Sequence, residues 1–333
     1  MVNVNEVRVG FIGCGRVAEN HFEAIRKCEN VRLIAVSDIN EELAMKRAQQ
    51  WGVVVCSPYE IYKRNDIDAI FVLTPFHTHF FYTFHALKEG KHVLVEKPVS
   101  MDPEEISQMA KVAQQVGRIC MPGHSYIYLR ELRRFKEIIS SGSLGESFTM
   151  FSFEIYYMPE ELIEKYNGPL QEVLWHHIYL MIAYMGLPSK VCAVKGCFRK
   201  DKIPTGDEHL MVVAEFESGA LAHIYLSWAT EDETSDPWTF KIKVLCQNGG
   251  LHFSRRDIVK FTPNKENEYP LYQEMFDEEV DYFINQCIRK GKKPLSDLYD
   301  AYYTSWIINK IKEAIEEERV LRIDIKEIGE LTF

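Results

Sequence analysis

Lys97 is the residue of this sequence best placed to do chemistry. It stands in "HVLVEKPVS", residues 92–100, where a run of apolar, β-forming residues ends in a carboxylate, an ammonium and a proline. Such a strand is buried on both faces, and Pro98 stiffens the turn that presents Glu96 and Lys97 at its end. A second chemical group lies earlier, in "VRVGFIGCGRVAENHF". There Gly13, Gly15, Arg16, Val17 and Ala18 follow an apolar strand and open a helix. In Gly-x-Gly-x-x-Ala spacing the glycines allow a tight turn and close backbone approach to a pyrophosphate. The helix N-terminus adds unpaired N–H groups and the positive end of a dipole. Asp38 ends the next strand, where a carboxylate can accept hydrogen bonds from both hydroxyls of an adenosine ribose. It would repel a 2′-phosphate, and Ile39 and Asn40 supply no arginine to bind one, so NAD is expected rather than NADP.

The elements around these residues alternate. "VRVGFI" (7–12), "RLIAVSD" (32–38), "AIFVL" (69–73), "HVLVE" (92–96) and "RICM" (118–121) are short apolar strands separated by amphipathic helical stretches. That rhythm predicts an α/β Rossmann domain, a doubly wound parallel sheet, over residues 1–122. From 123 to 333 longer alternating strands take over, among them the hairpin "AEFESGALAHIYLSW" with Ser218-Gly219 at its turn, together with helices at about 130–141, 172–185, 274–290 and 297–318. This half reads as an α+β domain with a large, mostly antiparallel open sheet. In doubly wound sheets ligands bind beyond the carboxyl ends of the strands. Thr74 and Pro75 in "LTPFHTH", and Glu96 and Lys97, are therefore expected on the nicotinamide side of the cleft. A lysine facing the cationic nicotinamide in a partly desolvated cleft is favoured as the neutral amine, which suits proton transfer.

Composition bounds the rest. The net charge of −10 and the absence of a basic block argue against a nucleic-acid groove. No signal-peptide pattern or membrane-length apolar run is present, and the eight cysteines lack any C-x-x-C pair. A cytoplasmic protein with reduced cysteines is expected, with no membrane partner.

Taken together, "GFIGCGRVAENH", "TPFHTH" and "HVLVEKP" resemble the Gfo/Idh/MocA oxidoreductases, and the likeness continues through "GSLGE", "DEHLMVVAEFESGALAHIYLSW" and the closing helices. The resemblance implies an NAD-dependent dehydrogenase acting on a hydroxyl of a sugar, polyol or related compound, with Lys97 as the proton-transfer group. It implies that His79 lies near the nicotinamide. The family's Asp-x-x-x-His stretch aligns with "NGPLQEVLWHHIYLMIAYMG", placing His176 on the histidine and Glu172 on the aspartate. Residues four apart share one helix face, so Glu172 and His176 can meet. Tyr179 stands where a second aspartate often follows, which weakens any transfer of inositol specificity. The resemblance also implies that the 123–333 domain serves substrate binding and oligomerisation, with a homodimer or homotetramer built on its open sheet.

The pairs His77/His79 and His176/His177 lack a convincing third ligand, and no metal is expected. Tyr126, Tyr128, Tyr156 and Tyr157 could line a sugar pocket or pack the sheet. Two other functions share the same motifs. One is an enzyme that retains NAD while cycling redox state between sugars or cleaving glycosides; the other is a non-catalytic dinucleotide sensor.

Overall fold

A computed structural model describes residues 6–203, 206–230, 239–255 and 270–324. The chain forms two compact units. The first takes in the described residues through Leu129 and, much later in the chain, Gln273–Ser305. Its six strands are β1 (Val7–Ile12), β2 (Val31–Ser37), β3 (Val54–Val55), β4 (Ala69–Val72), β5 (His92–Glu96) and β6 (Cys120–Gly123). They run parallel in the order β3-β2-β1-β4-β5-β6. Strand order reverses between β1 and β4, the point where such sheets leave a crevice beyond the strand ends.

Helices α1 (Arg16–Lys27), α2 (Glu41–Trp51), α3 (Pro58–Lys63), α4 (His79–Lys88) and α5 (Pro103–Val116) connect these strands. Local sequence explains their ends. Asn40 caps α2 through Leu43 N–H, Ser57 and Glu60 form a capping box on α3, and Asp102 with Pro103 starts α5. Helix α1 differs: Gly15 is its N-cap, and no side chain caps its first turn.

The second unit contains α6 (Arg130–Ser140), β7 (Ser147–Ile155), α7 (Glu160–Tyr166), α8 (Gly168–Glu172) and α9 (Leu174–Met185). It continues through β8 (Lys190–Gly196), β9 (His209–Glu215), β10 (Leu221–Ser227), β11 (Phe240–Cys246) and β12 (Gly249–Arg255). With β13 (Leu321–Arg322) they form a seven-stranded sheet ordered β12-β11-β7-β10-β9-β8-β13. Every neighbouring pair is antiparallel except β7 and β10. The β9–β10 hairpin turns at Gly219, whose φ of +83° only glycine adopts freely. Alternate residues such as Val212, Ala214, Ile224 and Leu226 are buried, while Met211, Val213 and Leu221 on the opposite face are exposed. Helix α9 lies across β7 and β10.

The helix expected over 172–185 is α9, which begins at Leu174, so that Glu172 belongs to the short helix before it. Asn167 and Gly168 both have positive φ, Pro169 occupies the first turn of α8, and that short helix ends at Glu172 before α9 begins. Two further helices close the described chain. Helix α10 (Pro270–Asp281) runs into a π-helical segment, Tyr282–Ile288, and α11 (Leu298–Glu316) belongs to the first unit as far as Ser305 and to the second from Trp306. Phe276, Val280 and Phe283 are buried within the first unit, where Phe283 meets Phe71 at 5.7 Å. Among the described residues no helix is long and apolar enough to cross a membrane. All eight cysteines are free.

Candidate active site

The glycine turn is built by strand ends that approach one another closely. Gly13 has φ +103°, and a Cβ there would lie 2.5 Å from the Leu73 carbonyl oxygen at the end of β4. Glycine is thus required twice, for conformation and for space. At Gly15 a Cβ would meet nothing within 4 Å. Open space beside an uncapped helix N-terminus suits an anion, since the first-turn N–H groups have no side-chain acceptor. Asp38 follows β2 directly. Its Oδ2 accepts the Cys14 backbone N–H at 2.7 Å and its Oδ1 accepts that of Asn40 at 2.8 Å. The carboxylate therefore braces the glycine turn, and each oxygen keeps lone-pair capacity for a ribose hydroxyl. Ala18 is buried, Val17 half-buried, and Arg16 and Ile39 exposed. These residues fit a dinucleotide: the turn and α1 would hold the pyrophosphate, and Asp38 the ribose.

At the end of β5, Lys97 is half-buried between two anchored neighbours. Glu96 is buried; its Oε1 lies 2.8 Å from Nε2 of His21, and its Oε2 accepts the Lys97 backbone N–H at 3.0 Å. The Lys97–Pro98 peptide is cis. The Pro98 carbonyl oxygen lies 2.8 Å from Nδ1 of His79, whose Nε2 lies 2.6 Å from the Thr74 carbonyl oxygen. His79 is buried, and burial holds its imidazole below the ordinary value despite those carbonyls. It thus ties the loop after β4 to the turn after β5. Thr74 is half-buried, Pro75 exposed, and the Thr74 hydroxyl accepts that of Thr78 at 2.8 Å.

In the second unit, half-buried Glu172 closes α8 and buried His176 lies in the first turn of α9. The expected single-helix face is replaced by a junction at Val173, where His176 N–H bonds the Val173 carbonyl at 3.0 Å. Nδ1 of His176 lies 2.8 Å from the Tyr179 hydroxyl, so the residue at the expected aspartate position still orients the imidazole. His177 points elsewhere: buried on α9, it has Nδ1 2.7 Å from Ser152 Oγ and Nε2 2.9 Å from Glu154 Oε2, both residues buried on β7. Among the described residues no group of His, Cys, Asp or Glu is arranged to hold a metal ion. Of the tyrosines, Tyr128 is fully buried against Tyr282, and Tyr157 lies beneath the Arg199 guanidinium.

Sequence reasoning passed over His21, Glu154 and Glu279. Each left a signal. His21 occupies the buried stripe of α1 with Ala18, Ala24 and Ile25, Glu154 an inward position of β7, and Glu279 the apolar face of α10. A charged or titratable residue at such positions demands a partner or a proton.

A parallel sheet with an uncapped glycine turn at its switch point, and a lysine at a neighbouring strand end, fit a dinucleotide-dependent oxidoreductase, and the matches to known proteins make the chain an NAD-dependent oxidoreductase acting on CH–OH groups. Residues 7–124 match the oxidoreductase family described as an NAD-binding Rossmann fold, and residues 132–252 match the GFO/IDH/MocA C-terminal domain. The chain belongs to the GFO/IDH/MocA oxidoreductase family. It is 23% identical to myo-inositol 2-dehydrogenase of Thermotoga maritima, covering 96% of this chain and 99% of that protein. It is 25% identical to scyllo-inositol 2-dehydrogenase (NAD(+)) of Bacillus subtilis, covering 89% and 90%. The fold is shared with scyllo-inositol dehydrogenase of Lactobacillus casei, solved with NAD(H) and scyllo-inositol, at a TM-score of 0.81 and 19% identity over 95% of this chain and 99% of that one.

Proposed function

We propose that this dehydrogenase oxidises a secondary hydroxyl of a cyclic polyol or closely related sugar, with Lys97 taking the hydroxyl proton. The observation that carries this reading is the anchoring of Lys97, whose two chain neighbours are each held by a buried histidine. Anchoring of that kind fixes the backbone from which the Lys97 side chain starts and so limits where Nζ can reach, which favours proton transfer. Bound NAD supplies the hydride acceptor. Asp38 and the Gly13–Ala18 turn hold it, with Thr74, Pro75 and His79 shaping the loop after β4. His176, oriented by Tyr179, and Glu172 share the acid–base work and recognise hydroxyl groups. The two inositol dehydrogenase relatives, matched along nearly their full lengths, support the polyol class. A Glu172 carboxylate and a Tyr179 phenol at this junction favour a substrate other than the one an aspartate pair would select. The exposed apolar face carrying Met211, Val213 and Leu221 supports a homodimer or homotetramer.

The test is NAD⁺ reduction by the purified protein across inositols, other polyols, aldoses and nucleotide sugars, with Lys97→Met in parallel. At least one cyclic polyol or related sugar should turn over. Lys97→Met should lose about 10²–10⁴-fold in kcat, with NAD affinity little changed. An active Lys97→Met would overturn the assignment.

A further inference from the structure

The strand end that carries Lys97 lies over a buried cluster of ionisable groups. Both oxygens of Glu96 are served by donors, His21 on one side and the Lys97 N–H on the other. His21 is fully buried, edge-on to Phe71 and Phe276. On α10 a second carboxyl, Glu279, is equally buried, and neither of its oxygens has a hydrogen-bonding partner among the described residues. The carboxyl groups of Glu96 and Glu279 feel one another electrostatically. The other ionisable groups facing this pair are His21 from α1, His79 from α4, Tyr128 and Lys97 itself. A carboxylate with an imidazole and an amide as donors is tolerated as an anion in the interior, whereas one with no donor is not. When two carboxyls share a site, such a difference in surroundings assigns the proton.

We propose that His21 and Glu96 are positioning residues for Lys97, with Glu96 the ionised member of the carboxyl pair and Glu279 the member that keeps its proton. This rests on the reading of Lys97 as the proton-transfer group. Glu96 acts twice: its Oε2 fixes the lysine's backbone, and its charge bears on the neighbouring amine. His21 lies about two turns along α1 from Gly15, so one hydrogen-bonded line joins the dinucleotide turn, its helix and the lysine. The directions of titration agree. Burial acts against the Glu96 anion, but His21 and Lys97 hold it below the ordinary carboxylate value. Burial, and then the Glu96 charge, push Glu279 well above that value.

The experiment compares Glu96→Gln, His21→Gln and Glu279→Gln in the full chain. The Lys97 amine is followed by NMR after ¹³C-dimethylation, its signal assigned with Lys97→Met. In Glu96→Gln the amine's titration midpoint should fall by about one pH unit, and the pH profile of kcat/KM should move with it. NAD affinity should stay close to that of the unaltered protein. His21→Gln should shift the amine the same way but less, while Glu279→Gln should leave it in place. An unmoved amine in Glu96→Gln, a tenfold loss of NAD affinity there, or an equal shift in Glu279→Gln would each overturn the proposal. Should Glu96→Gln fail to fold, Glu279→Gln alone decides, because an amide replaces a protonated carboxyl without changing charge but cannot replace an anion. A fully active Lys97→Met would remove the catalytic reading and leave the amine titration to decide the carboxyl pair independently.

Discussion

Two buried imidazole–carboxylate pairs stand beside the residues assigned to chemistry, one in each unit. His21 reaches Glu96 at 2.8 Å in the first, and His177 reaches Glu154 at 2.9 Å in the second. Both imidazoles are fully buried. In the first pair the carboxylate is the chain neighbour of Lys97, the proposed proton-transfer residue; in the second the imidazole is the neighbour of His176. The second pair is also closed: Ser152 takes the remaining nitrogen of His177. In the first, Nδ1 of His21 has no partner among the described residues, and a second carboxyl borders the site. The same two side chains thus do different work. One sets charge next to an amine, and the other pins α9 to β7.

The largest effect should come from breaking the closed pair. His177→Leu removes the imidazole bonded to Ser152 and to the buried Glu154 and should cost about 1.5–3 kcal/mol, seen as a fall in Tm. If the pair only pins α9, the pH profile of the remaining activity should keep its shape; a displaced profile would make the two pairs equivalent. Tyr179→Phe should do less. It removes one neutral hydrogen bond to His176, worth about 0.5–1.5 kcal/mol, so kcat/KM should fall about 2–10-fold while NAD affinity holds. An unchanged kcat/KM would show that Tyr179 does not orient the imidazole. The smallest effect sharpens the first pair. Glu279 titrates well above 4.5 in the folded protein, so the fold binds its proton more tightly than the unfolded chain does. Its contribution to stability is complete below 4.5 and is lost as pH rises through the folded value. Glu279→Gln should therefore gain Tm over the unaltered protein progressively with rising pH, and a constant difference between pH 5 and 8 would contradict a buried proton.

Much of the first unit was legible because its signals are local. A glycine pair after an apolar strand, and apolar runs ended by polar residues, reveal β1, β5 and the turn without any tertiary knowledge. Strand β3 escaped because two residues, Val54 and Val55, make no periodic pattern. The partners of the candidate residues were illegible for another reason. His21 and Glu96 are 75 positions apart, and nothing local tells one carboxylate which imidazole it will meet. The break at Val173 was hidden because 172–185 reads as one helical stretch, on which Glu172 and His176 stand four apart. Glu172 instead ends a short separate helix, which follows positive φ at Asn167 and carries Pro169 in its first turn. Tyr179, standing in place of a second aspartate, read only as weakening any transfer of inositol specificity; nothing local showed that its hydroxyl would lie 2.8 Å from Nδ1 of His176.

The late return of Gln273–Ser305 to the first unit bears on how the protein is made. Residues through Leu129 leave the ribosome carrying every strand of the parallel sheet, but not Phe276, Phe283 or Ser296, which cover His21 and Phe71 and bond His124. Until some 170 further residues are synthesised, the nascent dinucleotide unit lacks the side chains that pack on His21 and Phe71. Its completion is therefore an event of late translation, and a chain interrupted within the second unit leaves the first one unfinished as well.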